Sequence, residues 1–255
     1  AGNRHPLWSR GLGDVYKRQA YYIAKSLSEK GAEIGYSYVN ERVKNSVSKA
    51  LKDLNCSFLE ECNVLEEQSL INFFKKAKSE FNEIDFIVHS VAYAEREDLG
   101  GDFSNTTKKG FTTALETSAY SLIPITKMGS EIMNKEGGSI ITLTFEASQK
   151  VYPGYNVMGT AKAALENSVK QLANEYGKSN IRVNAVSAGP LPTLAARSIP
   201  GFTVMTKAHA ERSPLKRNIT HEEVANASSF LLSDLSSGIT GVILPVDSGY
   251  GIMGI

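Results

Sequence analysis

Residues Pro153 to Leu165 read Pro-Gly-Tyr-Asn-Val-Met-Gly-Thr-Ala-Lys-Ala-Ala-Leu. Tyr155 and Lys162 stand seven positions apart, with Met158 between them and small Gly159, Ala161, Ala163 and Ala164 around them. Pro153-Gly154 reads as the loop before a helix that continues through Tyr176. Seven residues are close to two helical turns, so the spacing predicts both side chains on one face, about 10 Å apart along the axis. A phenol, with an ordinary pKa of about 10, can donate a proton, and a nearby cation favours its ionised form. Two readings stand at this point: a tyrosine on a core face beside a solvated lysine, or a pair that works on a bound molecule. The small residues favour the second, because they let a flat ligand lie against the helix between the two side chains.

The octapeptide Tyr-Asn-Val-Met-Gly-Thr-Ala-Lys over 155–162 resembles the active-site helix of the enoyl-acyl-carrier-protein reductases, a divergent branch of the short-chain dehydrogenase/reductases. Ordinary members of that superfamily place the lysine four residues after the tyrosine; here that position is Gly159, which points to the enoyl reductase branch. The resemblance extends over about residues 20 to 255. It implies a single-domain α/β fold of Rossmann-like type, a doubly wound parallel sheet with strand order 3-2-1-4-5-6-7. It implies reduction of trans-2-enoyl-acyl carrier protein in fatty acid biosynthesis, with Tyr155 and Lys162 as catalytic residues and Lys162 also binding the cofactor. The partners implied are acyl carrier protein and its enoyl thioester, within a homotetramer.

Composition agrees with such an enzyme. A chain of 255 residues suffices for one large domain with a buried core. Hydrophobic content of 42% and charged content of 22% are ordinary for a globular protein. A net charge of +1 gives no reason to expect nucleic acid or an anionic membrane as partner. No apolar run approaches the length of a membrane span. The two cysteines, Cys56 and Cys62, read as reduced core thiols, which favours a reducing, cytoplasmic compartment, and no metal site is expected.

The first 19 residues do not read as the start of this fold. A doubly wound domain opens with an apolar strand and a glycine-rich turn into its first helix. The helix from Ala20 to Gly31 is there, but no apolar strand precedes it, and Gly11-Leu-Gly13 is too weak for a phosphate loop. Where the family has a Ser-Ile pair for the pyrophosphate, this chain has Arg18 and Gln19. The expectation is that the first strand and glycine-rich loop are replaced. Residues 1–19 then form a non-family head, foreign read-through or disordered, before a reductase domain over 20–255, with a genuine but divergent N-terminus as the alternative. On that reading the missing central strand leaves two unpaired inner edges.

From Ala32 strands and helices alternate. Ala32–Tyr38 reads as a strand and Glu41–Leu54 as a helix. The family's ribose-side positions fall on Val39 and Asn40; neither is basic, so the cofactor expected is NADH, with NADPH left open by nearby Arg42 and Lys44. After a strand over Ser57–Cys62, Asn63-Val64 match the pair that holds adenine. Following the strand Phe86–Ser90, the resemblance assigns Ser90, Val91 and Ala92 to the cofactor and Tyr93 and Ala94 to the substrate pocket. His89, inside the strand pattern, reads as a core histidine. Gly110–Met133 reads as one helix kinked at Pro124. Gly138–Thr144 is a strand closed by Phe145, where the family commonly carries a second tyrosine; Phe145 can wall the substrate pocket, with Met158, but cannot donate a proton, so Tyr155 acts alone. After the strand Ile181–Ser187, the resemblance assigns Gly189, Pro190, Leu191, Thr193, Leu194 and Ala195 to the cofactor, while Pro192 stands where the family often has arginine. Ala195–Arg212 reads either as a mobile lid over an acyl chain or as a static helical pair. Thr220-His-Glu-Glu223 is a capping box, and Gly241–Val246 the last strand.

Overall fold

The structure, a computed structural model, describes residues 4–9 (as backbone), 19–192 and 201–254. Strands and helices alternate: β1 (Arg4–Ser9), α1 (Gln19–Glu29), β2 (Glu33–Tyr38), α2 (Glu41–Ala50), β3 (Phe58–Glu61), α3 (Glu67–Phe81) and β4 (Phe86–Ser90). Then follow α4 (Lys108–Leu115), α5 (Leu122–Ser130), β5 (Gly138–Thr144), α6 (Val157–Tyr176), β6 (Ile181–Ala188), α7 (Phe202–Arg212), α8 (His221–Leu232) and β7 (Ile243–Val246). The seven strands form one parallel sheet in the order 3-2-1-4-5-6-7, the doubly wound topology expected.

Both faces of the sheet are covered, so its strands alternate between two cores rather than between core and water. Ile87 and Ile140 enter a cluster with Phe73, Phe74, Ile125, Leu165 and Val169 from α3, α5 and α6. Their neighbours Val88 and Ile141 point the other way, toward Ile23, Ala24, Val224 and Leu231 from α1 and α8. The capping box forms as read: the Thr220 hydroxyl accepts from the Glu223 N–H, and the Glu223 carboxylate accepts from the Thr220 N–H.

Three expectations need correction. The first strand is not missing. Arg4–Ser9 runs between β2 and β4, with Arg4 opposite Glu33, Leu7 opposite both Tyr36 and Val88, and Ser9 opposite Ser90. No inner edge is left open there. The slot between two parallel strands is filled through main-chain donors and acceptors that every extended residue except proline carries. Side-chain apolarity therefore misjudged the segment, even though Pro6 contributes no N–H to the central ladder. Gly11 to Arg18, where the phosphate turn was sought, lie outside the described residues.

Second, the helix expected over Gly110–Met133 breaks before Pro124. A single π turn over Glu116–Tyr120 separates α4 from α5, and Pro124 sits in the first turn of α5, where proline is tolerated. Third, α6 starts at Val157, so Tyr155 lies in the turn before the helix rather than on its face. Cys56 is exposed and Cys62 buried, so only one of the two free thiols belongs to the core.

Candidate active site

Parallel strands end together, and the crevice beyond their carboxyl ends is where doubly wound proteins bind ligands. Val39 follows β2, Asn63 and Val64 follow β3, Ser90 to Ala94 end and follow β4, Phe145 follows β5, and Gly189 to Leu191 follow β6. One edge of the sheet therefore gathers the expected cofactor and substrate positions from five strands. Thr193, Leu194 and Ala195 lie outside the described residues, as does the first part of the expected lid; its second part is α7.

The turn into α6 aims Tyr155. Asn156 has φ 39° and ψ −120°, a conformation that costs a non-glycine residue about 1–3 kcal/mol. Its side-chain amide is anchored by donating to the Gly100 carbonyl at 2.6 Å. The Tyr155 carbonyl accepts from the Met158 N–H at 3.1 Å, closing the turn onto the helix. The half-buried Tyr155 ring packs with Met158, Val157, Ala114, Ala94 and Leu115, and meets Phe145 edge-on with centroids 5.3 Å apart. Burial pushes the phenol above its ordinary pKa, so the hydroxyl is held protonated, contrary to the ionised form that a neighbouring cation was expected to favour.

Lys162, the second member of the pair, is 6% exposed and donates to the Leu143 carbonyl at 2.8 Å. Burial pulls its ammonium down to about 8, an effect partly offset by the carboxylate of Glu166. Gly159, where an ordinary short-chain reductase carries its lysine, is closed to any side chain: a Cβ there would sit 2.8 Å from the Ala147 carbonyl oxygen.

The loop after β4 is held by its backbone. The Ser118 hydroxyl donates to the Tyr93 carbonyl at 3.1 Å and accepts from the Tyr93 N–H at 2.9 Å. Ser118 belongs to the π turn, a feature that recurs at functional sites because it offers groups a regular helix would bond internally. Ala92 is exposed, and the Tyr93 ring turns outward with its hydroxyl on Glu95, so Tyr93 does not join the apolar cluster around Tyr155 whereas Ala94 does. His89 is the core histidine expected. Ser121 gives its proton to the Thr117 carbonyl, so it accepts from Nε2–H of His89, which leaves Nδ1 to accept from Thr142.

On the adenosine side, Asn40 caps α2 by accepting from the Arg42 N–H, and Glu41 takes hydrogen bonds from Tyr38 and Lys44. Lys44 is thus already paired. The Asn63 amide donates to Glu66 at 2.6 Å, and half-buried Val39 and buried Val64 flank the strand ends.

At the opposite rim lies a group that the sequence did not reveal. Tyr152 packs on Phe145 with centroids 4.7 Å apart and donates to Glu146 at 2.6 Å. Its oxygen accepts from Nε2–H of His209 on α7 at 3.1 Å, and the His209 ring stacks on Tyr250 at 3.6 Å. Neither periodicity nor spacing links residues so distant in the chain; only an aromatic after Val151 hinted at it.

The match to known proteins is broad. The enoyl-(acyl carrier protein) reductase family model matches residues 19–251. The enoyl-[acyl-carrier-protein] reductase [NADH] of Rickettsia typhi is 43% identical over 235 residues, 92% of this chain and 90% of that protein. Its counterpart in Bacillus subtilis is 44% identical over 244 residues, 94% of each chain. The structure superposes with TM-score 0.94 on the enoyl-acyl-carrier-protein reductase of Anaplasma phagocytophilum solved with NAD, at 39% identity and covering 100% of this chain and 95% of that one. The Bacillus cereus reductase solved with NADP+ and an indole naphthyridinone gives the same TM-score and identity, covering 100% and 98%. With a doubly wound parallel sheet of seven strands, and relatives alike over nine-tenths of its length, this chain belongs to the enoyl-(acyl carrier protein) reductase family.

Proposed function

We propose that this protein reduces trans-2-enoyl thioesters of acyl carrier protein with NADH, as a step of fatty acid biosynthesis. The reading rests on a Tyr155 phenol raised by burial in the turn before α6 and a buried Lys162 ammonium on that helix, beside the carboxyl end of β5, with Gly159 closed to a side chain. The residues present fit a nicotinamide dinucleotide. Ala92 leaves room above the loop after β4. Gly189 passes Asp247 so closely that an added Cβ would lie 3.3 Å from its Cα. Val39, Asn63, Val64, Ser90, Val91, Pro190 and Leu191 stand along the same edge to hold the cofactor, with Thr193, Leu194 and Ala195 continuing the segment.

When bound, the reduced nicotinamide supplies the hydride that goes to the β-carbon of the enoyl thioester. Tyr155 donates its hydroxyl to the thioester oxygen, where negative charge develops, and one such donor is worth about 3 to 4 kcal/mol of barrier. Lys162 holds the ribose hydroxyls and adds positive potential beside the phenol. Phe145, Met158 and Ala94 wall the acyl pocket, with Tyr93 at its outer lip. Phe145 offers no hydroxyl, so the enolate rests on Tyr155 alone.

NADH is the reductant favoured over NADPH. Val39 and Asn40 bring no charge, Lys44 is engaged by Glu41, and a 2′-phosphate would approach that carboxylate. The enzyme acts in the cytoplasm and as a homotetramer. Free thiols support the first, and Phe111, Tyr120 and Ile123, exposed on α4, the π turn and α5, support the second.

Oxidation of NADH and of NADPH, followed with crotonyl-acyl carrier protein and separately with a ketone, tests the reading. Turnover with NADH and the enoyl thioester is expected. Turnover with the ketone alone would overturn it.

A further inference from the structure

Lys162 and Glu166 are one turn apart on the sheet-facing side of α6, and each is 6% exposed. Consecutive residues of β5 hold them: the Leu143 carbonyl accepts from the Lys162 ammonium at 2.8 Å, and the Thr144 hydroxyl donates to Glu166 Oε1 at 2.7 Å. These bonds fix the two charges one turn apart without an ion-pair contact, so they act on each other through space. The medium between them is protein interior, where such an interaction is screened far less than at a surface.

We propose that Glu166 is a positioning residue of the reductase, the counter-charge that keeps the buried Lys162 ammonium protonated and so able to grip the nicotinamide ribose. An isolated ammonium in an apolar interior sheds its proton rather than bear the desolvation cost. A neutral amine has fewer donors to share between the Leu143 carbonyl and ribose hydroxyls, and it provides no positive potential beside Tyr155.

Among the described residues, no other ionised group takes this part. From β4 the imidazole of His89 faces Lys162, and its coupling to the ammonium disfavours charge on the ring. From β5 and β6 come Thr142, Thr144 and Asn184, which carry none. In the turn before α6 stands the protonated Tyr155. Glu146, in the segment after β5 that packs on α6, is bound by Lys150 and Tyr152. Glu116, Lys108, Lys109 and Lys127, on the π turn and the helices beside α6, are exposed to water. Arg182 on β6 is tied to the Leu231 and Ser233 carbonyls.

The inference rests on the reading that Lys162 binds NADH, so its test has two arms. NADH affinity is titrated from pH 6 to 10 for the wild type and Glu166→Gln, which preserves shape and the Thr144 hydrogen bond. The wild type should lose affinity through an alkaline limb near pH 8, where burial sets the Lys162 ammonium. In Glu166→Gln that limb should move down by about one pH unit, weakening binding at pH 8 about fivefold and at pH 9 and above about tenfold, while leaving it nearly unchanged at pH 6. A purely structural role predicts weaker binding by one factor at every pH, and that result overturns the inference. If the glutamine variant gives no soluble protein, Glu166→Asp serves: its carboxylate is drawn back by one methylene, and a limb lowered by at least about 0.3 unit supports the inference while an unmoved one overturns it. Wild-type protein that neither binds nor oxidises NADH refutes the underlying reading instead, a result distinct from an unmoved limb.

Discussion

The inner end of the crevice and its rim are built on different chemistry. Around Lys162 the partners are carbonyls, hydroxyls and one carboxylate: Leu143, Thr144 and Glu166, with His89 caged between Thr142 and Ser121. At the rim the partners are rings: Phe145 lies against both Tyr155 and Tyr152, and Tyr152 bonds a histidine that stacks on Tyr250. The inner end has to keep a charge in a dry place, which demands closely fixed polar groups. The rim has to give shape to a passage while joining segments far apart in the chain, and stacked rings do that with few hydrogen bonds. Tyr155 stands where the two meet, its ring packed against the apolar cluster of Ala114, Val157 and Met158.

The largest effect that could break this division is at Tyr155. Tyr155→Phe keeps the ring contacts with Phe145 and Met158, and is expected to lower kcat by about a few hundredfold with NADH affinity unchanged. An equal loss of NADH affinity in stopped-flow binding would mean that the phenol belongs to the inner cofactor site, and the boundary between the two regions would be misdrawn.

Acid stability compares the two regions through their histidines. Burial lowers His89 to about 3 and His209 to about 4, both below the ordinary 6.5. The unfolded chain therefore takes up these protons first. The histidine contribution to stability is flat above about pH 6.5 and falls below it, by about 1.4 kcal/mol per pH unit for each imidazole until its folded value is reached. Urea unfolding at pH 6.5, 5.8 and 5.0 measures the slope, to which His221, also lowered by burial, adds, and His209→Gln should remove between a third and a half of it. An unchanged slope would show that water reaches the rim stack and lets His209 ionise as freely as in the unfolded chain.

The smallest effect concerns the rim alone. Tyr152→Phe keeps the stacking on Phe145 but removes the proton donated to Glu146 and the oxygen that His209 bonds. Stability should drop by about 1 kcal/mol. If α7 closes over the acyl chain, KM for the enoyl thioester should rise about threefold with kcat and NADH affinity kept. A change in NADH affinity instead would tie the rim energetically to the inner end.

Much of this molecule was legible in the chain because local physics decides it. Apolar alternation located β2, β4, β5 and β6 within a residue or so, since a doubly covered parallel strand must be apolar on both sides. The capping box at Thr220 and Glu223 is a contact between neighbours in sequence, and Tyr155 with Lys162 is a local spacing. Asn156 spoiled the helical placement of Tyr155 because its positive φ depends on Gly100, more than fifty residues away. The π turn went unseen for a similar reason: Ser118 and Ser121 turn to Tyr93 and His89 across the fold, and a helical period carries no record of that.

The sequence by itself determined the alternation of strands and helices from Ala20 onward, the seven-residue spacing of Tyr155 and Lys162 and the absence of a hydroxyl at Phe145, because each is written in residue type and near-neighbour spacing. Only the tertiary structure decided that Arg4–Ser9 fills the centre of the sheet, that Gly159 is shut by Ala147, and that Glu166 stands guard over Lys162. Each of these depends on main-chain groups or fields from residues remote in the chain, and those act according to distance in space, not position along the polypeptide.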